Sequence, residues 1–323
     1  MAPFPKSVSI HEEGPREGFQ FEKTPIPTAR KIELIDALSR TGLQSIRIAS
    51  FVHPKMVPGM ADSEDVVAGI KPQPGVEYMG MWFNERGLQR ALSTKRLSMK
   101  AGITLCASQA FLRRNKNRTQ EEDIAMHHKL IGLYQQYDIP IKTVAISSAF
   151  GCNFQGDIDL SYVLKLLGKA LEIAAEHNLE IETLALYDTM AWATPKQIQS
   201  AVGAVQDKYS DFNLSLHLHN TRGMGIANAF AALEMGVTRF DASVGGLGGC
   251  PFAGHHGAAG NVCTEDLVFM CEEMGIETGI DLEAMIECAR LAEDIVGHPL
   301  SGSLMKAGSL SRLRGSCPKA WCS

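Results

Sequence analysis

The chain has 323 residues, of which 45% are hydrophobic and 21% charged, and carries a formal net charge of −5. That balance describes a globular protein with a sizeable core; the lack of a basic run argues against a nucleic-acid partner, and no apolar stretch approaches a membrane span. The eight cysteines (106, 152, 250, 263, 271, 288, 317 and 322) form no CxxC pair and the N-terminus shows no signal or transit pattern, so a cytoplasmic protein is expected.

Strands and helices alternate along the chain. A strand is predicted at 7–12 (SVSIHE) and a helix in ARKIELIDALSRTG, where Ile32, Leu34, Ile35 and Leu38 recur at helical spacing and Gly42 marks the stop. Strands follow at 45–50 (SIRIAS), 76–81 (VEYMGM) and 102–107 (GITLCA). The helical pattern EEDIAMHHKLIGLYQQY then leads to a strand at 142–147 (KTVAIS), and DLSYVLKLLGKALEIAAEH to one at 181–186 (IETLAL). TPKQIQSAVGAVQDKY precedes 214–219 (LSLHLH), and MGIANAFAALEMG precedes 239–244 (RFDASV). Eight such units predict an α/β fold with a parallel sheet closed into a (β/α)8 TIM barrel over residues 1–297. Residues 298–323 turn small, polar and basic and are expected to form a C-terminal tail. A doubly wound open sheet fits less well, because no GxGxxG follows the first strand.

In a barrel the C-terminal strand ends meet at one face, where active sites lie. The first strand brings His11, Glu12, Glu13, Arg16 and Glu17 there, the second Arg47, the sixth Asp188 and the seventh His217 and His219. Two histidines one residue apart on a strand face the same side. They are either half-exposed residues at a strand end or ligands of one shared cation. Convergence with a carboxylate and an amide oxygen favours a hard, oxygen-rich site that suits Mg²⁺ or Mn²⁺ better than a structural zinc. After the eighth strand, Gly245, Gly246, Gly248 and Gly249 precede Cys250. Such a loop is either a phosphate cradle, though no Lys-Ser/Thr follows, or a mobile segment delivering a reactive thiol.

Together these segments resemble the 3-hydroxy-3-methylglutaryl-CoA lyase family. GPREGFQFEK is similar to that family's first-strand motif, SFVHPKMVPGMAD to its second-strand loop and HLHNTRGMGIAN to its metal segment. GLGGCPFA, GAAGNVCTEDLVFM and MGIETGIDL match its signature loop and the helix beyond. The resemblance runs from about Val8 to Leu282. It implies a TIM barrel, working as a homodimer, that cleaves a 3-hydroxyacyl-CoA into acetyl-CoA and a keto acid. By the same resemblance His217, His219 and Asn261 are metal ligands, and Glu17 stands where the family has an aspartate ligand. Arg16 would polarise the substrate oxygen, Cys250 would protonate the leaving enolate, and Asp188 and Lys23 would support substrate binding.

The chain departs from the family at three places. Glu17 adds one methylene to the ligand, Arg47 replaces a glutamate, and AGHHGAAGN, with His255 and His256, is two residues longer than usual. Arg47 near a cation needs an anion, which is either a substrate carboxylate, as in citramalyl-CoA, or an internal partner among Glu12, Glu13 and Glu17. A CoA-independent aldolase on a keto acid and a metal-binding non-catalytic homologue are the alternative readings.

Overall fold

Parallel strands covered on both faces favour apolar runs, which Val144–Ile146 and Leu184–Leu186 supply, while the first, second, seventh and eighth segments alternate polar and apolar residues. The computed structural model describes residues 4–248, 260–311 and 314. Its main sheet holds β1 (Ser9–Glu12), β2 (Ser45–Ser50), β3 (Glu77–Met81), β4 (Ala101–Cys106), β5 (Ile141–Ser147), β6 (Thr183–Asp188), β7 (Asn213–Leu218) and β8 (Arg239–Ala242). Neighbours run β3-β2-β1-β8-β7-β6-β5-β4. The first and last strands therefore pair, Ser9 beside Arg239 through Glu12 beside Ala242. That cyclic order is a barrel's. At the remaining seam, between β3 and β4, the Ser98 N–H donates to the Tyr78 carbonyl at 2.8 Å.

The helices Thr28–Leu38, Gln120–Gln136, Leu160–Glu176, Pro195–Lys208 and Gly225–Glu234 form where the apolar periodicity puts them. Two start with reciprocal caps, Thr119 with Glu122 and Thr194 with Gln197, the latter with Pro195 in the first turn. Leu34, Val163 and Ile198 pack with strand residues such as Ile46, Val144, Leu184 and Leu216 in one core. Truncating such a residue, for example Leu184→Ala, costs about 2–5 kcal/mol.

β6 lies two residues downstream of its predicted span, because its ladders to β5 and β7 both begin at Thr183. Asp188 thus closes the strand instead of following it. Beyond the helix Leu282–Val296, Leu300, Leu304 and Met305 bury themselves in the main core, and the Gly302 N–H donates to the Gly245 carbonyl at 3.2 Å. Among the described residues, no helix is long and apolar enough to cross a membrane.

Two buried carboxyls hold the turn after β8, Glu12 from β1 and Glu265 from the helix Thr264–Glu273. Glu12 accepts from the Gly14 N–H (2.7 Å), the Val244 N–H (2.9 Å) and the Thr264 hydroxyl (2.6 Å). Glu265 accepts from the Gly245 N–H at 3.0 Å. Burial outweighs these hydrogen bonds and raises Glu12 to about 7 and Glu265 to about 8. A carboxyl that holds its proton more tightly when folded stabilises the fold at low pH, and that contribution is lost as pH rises through the folded value. Glu265→Gln removes this titration. The wild-type melting temperature should therefore fall relative to the variant's between about pH 5 and about pH 8; parallel curves would show that Glu265 does not titrate there.

Candidate metal centre

Glu17 ends the short helix Gly14–Glu17 that follows β1. His217 lies on β7 and His219 just beyond it, held by a β-bridge to Asn261. The period of two turns both imidazoles to one side, with ring centroids 5.0 Å apart. One ligand atom from each of Glu17, His217 and His219 lies within 4.8 Å of the others, and all three residues are buried.

Neighbouring groups fix how these donors point. The His219 Nδ1 sits 3.0 Å from the Asp188 carbonyl oxygen, which only accepts, so Nδ1 carries the hydrogen. Its Nε2 then faces the Glu17 Oε1 at 3.3 Å. A lone pair and a carboxylate oxygen at that separation repel unless a proton or a cation lies between them. The His217 Nδ1 lies 3.0 Å from the Asp241 carboxylate. Anchoring one ring nitrogen on a carbonyl or carboxylate, which leaves the other for the ion, is how metal-bound histidines are held. The Asn261 Nδ2 donates to the Ser243 hydroxyl at 2.7 Å, while its Oδ1 is buried with no hydrogen-bond partner. Two imidazoles, a carboxylate and an orphaned amide oxygen fit Mg²⁺ or Mn²⁺.

The surrounding charges keep Glu17 ionised. Burial opposes its charge, but the Arg16 guanidinium (2.9 Å) and the two histidines outweigh it and hold the carboxyl at about 2. Burial also opposes charge on His217, yet the Asp241 hydrogen bond and the charges of Glu17, Asp241 and Glu13 raise it to about 9. Glu13 is buried between two guanidinium groups, accepting from both Arg16 and Arg47. Those cations overcome desolvation and hold its carboxyl well below the usual carboxylate range. Asp188 differs: burial raises its carboxyl, its Oδ1 accepts from the Trp192 and Ala193 N–H groups, and its Oδ2 is buried without a partner.

The structure thus brings Arg16, Glu17, Arg47, Asp188, His217, His219 and Asn261 to one end of the barrel. Of the two roles open to Arg47, an internal partner is present, and it is Glu13. Lys23 is exposed and has no hydrogen bond or ion pair among the described residues. Cys250, His255 and His256 lie outside the described residues. Asp241 and Tyr187 were not singled out in the sequence. Asp241 sits one strand over, in register with His217, and the Tyr187 ring tilts against His217 at 5.2 Å. Strand pairing, which sequence alone does not supply, was the signal needed. The glycines have a steric reason here. Gly248 has φ +105°, and a Cβ there would lie 3.0 Å from the Glu17 side chain. A Cβ on Gly260 would lie 2.3 Å from the Gly248 carbonyl.

His219→Ala removes one donor from outside the apolar core cluster. It should abolish Mn²⁺ binding in calorimetry while leaving the fold intact by circular dichroism. Asp241→Asn removes the charge that orients His217 and should weaken affinity about 10–100-fold. Unchanged affinity in the His219 variant would exclude this ligand set.

Comparison with known proteins gives the site a family. The HMGL-like family model matches residues 7–292. Hydroxymethylglutaryl-CoA lyase YngG of Bacillus subtilis is 38% identical over 298 residues, covering 92% of this chain and 96% of that protein. The mitochondrial hydroxymethylglutaryl-CoA lyase of Gallus gallus is 38% identical, covering 88% and 92%. Among solved structures, the B. subtilis HMG-CoA lyase superposes with a TM-score of 0.86 at 38% identity, covering 95% of this chain and 99% of the other. An Acinetobacter baumannii HMG-CoA lyase, solved with coenzyme A and 3-methylmalate, gives 0.84 at 38% identity, covering 96% and 97%. A match over nearly the whole barrel, with relatives this similar end to end, shows that the chain belongs to the HMGL-like family.

Proposed function

We propose that this chain is a divalent-metal-dependent carbon–carbon lyase that cleaves a 3-hydroxyacyl-CoA into acetyl-CoA and a keto acid. The observation that carries the metal is the contact of the His219 Nε2 with the Glu17 carboxylate beside the orphaned Asn261 oxygen. The substrate class is supported by the relatives, which are named hydroxymethylglutaryl-CoA lyases.

The reaction removes the hydroxyl proton at C3, breaks the C2–C3 bond and leaves its electron pair as an acetyl-CoA enolate, which takes a proton at carbon. A cation held by Glu17, His217, His219 and Asn261 supplies Lewis-acid polarisation of the substrate's oxygens. Arg16 is fixed by Glu13 and Glu17 through Nη2, and its Nε is buried without a partner, a donor left for charge developing on a substrate oxygen. Asp188, with its raised carboxyl and free Oδ2, suits the group that takes the hydroxyl proton. Cys250, on the glycine loop, is the acid assigned to the enolate. The five described cysteines are free and buried, which suits a reducing compartment and a cytoplasmic protein. A homodimer is the assembly inferred from the family.

Arg47 directs the acyl preference. It uses Nη1 on Glu13, its Nε is buried without a partner, and a quarter of its side chain is exposed (26%). Its exposed part and its unpartnered Nε call for a second acceptor beside Glu13, and a substrate carboxylate supplies one. A carboxylate on the carbinol carbon, as in citramalyl-CoA, meets that need. The A. baumannii relative was solved with a hydroxy acid of that kind, 3-methylmalate.

Acetyl-CoA release from a panel of 3-hydroxyacyl-CoAs with Mg²⁺ and Mn²⁺ tests the reading directly, and no release with any of them would refute it. Arg47→Lys should lower kcat/KM for the carboxylate-bearing substrate by about 1.5–3 kcal/mol. The loss should vanish for an analogue lacking that carboxylate; equal losses on both, with a lower melting temperature, would make Arg47 a structural partner of Glu13. Cys250→Ser should bind metal and substrate normally but turn over at least about a hundredfold more slowly, because a hydroxyl is a far weaker acid than a thiol.

A further inference from the structure

Tyr187 has no part in the chemistry above, yet it stands inside the site. Strand register puts it beside His217, His217 beside Asp241 and Asp241 beside His11. Residues in register on neighbouring strands face the same side of a sheet, so Tyr187 turns into the barrel with the ligand histidine. Its ring leans on the His217 ring, with centroids 5.2 Å apart and the planes at 53°. The cyclic strand order places β6, which carries Tyr187, opposite β2, which carries Arg47. A tyrosine is long enough to reach toward the barrel axis, and the charges that act on its phenol are those of Asp241, Arg47, Glu13 and Arg16.

That phenol is an unused donor. Tyr187 is half-buried, and its hydroxyl makes no hydrogen bond among the described residues. The neighbouring carboxylates are engaged elsewhere, Asp241 with His217 and Glu13 with Arg16 and Arg47. Arg47 in turn keeps its Nε without a partner. Two spare donors, one of them on a cation, therefore come from opposite strands to the same end of the barrel, next to a metal ligand. A donor drawn partly out of water costs stability unless a bound group replaces the hydrogen bond it gave up. A carboxylate has two oxygens and suits such a pair, one oxygen to each donor.

We propose that the Tyr187 hydroxyl is a specificity-determining contact: together with the Arg47 Nε it holds the carboxylate on the substrate's carbinol carbon. This rests on the acyl-CoA reading above and deepens it by naming a second residue that selects the acyl group. Because the ring rests on His217, a group bound to the phenol lies beside the ligands. The carbinol carbon belongs there if its hydroxyl is to be polarised. The pair thus selects a carboxylate on that carbon over one carried farther along the acyl chain.

Tyr187→Phe removes the hydroxyl and keeps the ring against His217. It should lower kcat/KM about tenfold or more for the CoA thioester whose carboxylate lies on the carbinol carbon. The inhibition constant of the same thioester lacking that carboxylate should not move, and neither should Mn²⁺ affinity by calorimetry. Unchanged kcat/KM, a parallel weakening of both thioesters, or a loss of Mn²⁺ affinity that marks Tyr187 as a support for His217 would overturn the contact while leaving the lyase reading intact. Calorimetry with citramalate and Mn²⁺ separates the two claims. Binding by the wild type that Tyr187→Phe weakens about tenfold supports the contact even if no thioester is cleaved. Equal binding by both proteins, or no binding by the wild type, overturns it.

Discussion

Two groups that both accept hydrogen bonds face one another at the heart of this barrel: the Nε2 of His219 and a carboxylate oxygen of Glu17, 3.3 Å apart. Much of the surrounding structure serves to impose that contact. The Asp188 carbonyl sets the tautomer of His219, Asp241 turns His217, and Arg16 keeps Glu17 ionised in a place where burial alone would protonate it. Behind them, Glu12 binds β1 to the turn after β8, so that the helix carrying Glu17 and the strand carrying Asp241 move as one body. A cation entering a site arranged in this way would be bound partly through relief of that repulsion.

The alternation of apolar strands and amphipathic helices made the barrel readable without coordinates, because each element's pattern also matches its place in the fold. The centre was readable where its donors lie close in sequence or in a dense motif, as with His217 and His219. It was unreadable where strand register does the work. Asp241 meets His217 only because β7 and β8 pair with a particular offset, and Glu13 meets Arg47 only across the β1–β2 boundary. The helix Gln109–Lys116 also went unnoticed: it is mostly polar, buries only Phe111 and Leu112, and has too little apolar periodicity to stand out.

Arg47 changes meaning once its neighbours are known. Alone beside a cation it would be a costly intruder, but Glu13 sits between it and Arg16, so the two arginines share one buried anion. Such an arrangement keeps the buried carboxylate ionised between its two cations. Local stability is therefore shared by the same three side chains, because removing any one of them leaves a buried charge without its partner.

Gly248 and Gly260 stand back to back beside Glu17 and Asn261, so the chain departs from the ligand set and rejoins it at nearly the same point. Bringing those two ends together has already been accomplished by the barrel itself. The entropy of an insertion between them grows only logarithmically with its length, about 0.6 kcal/mol for each doubling. A change in the length of the segment between them therefore costs the ligand set little in chain entropy.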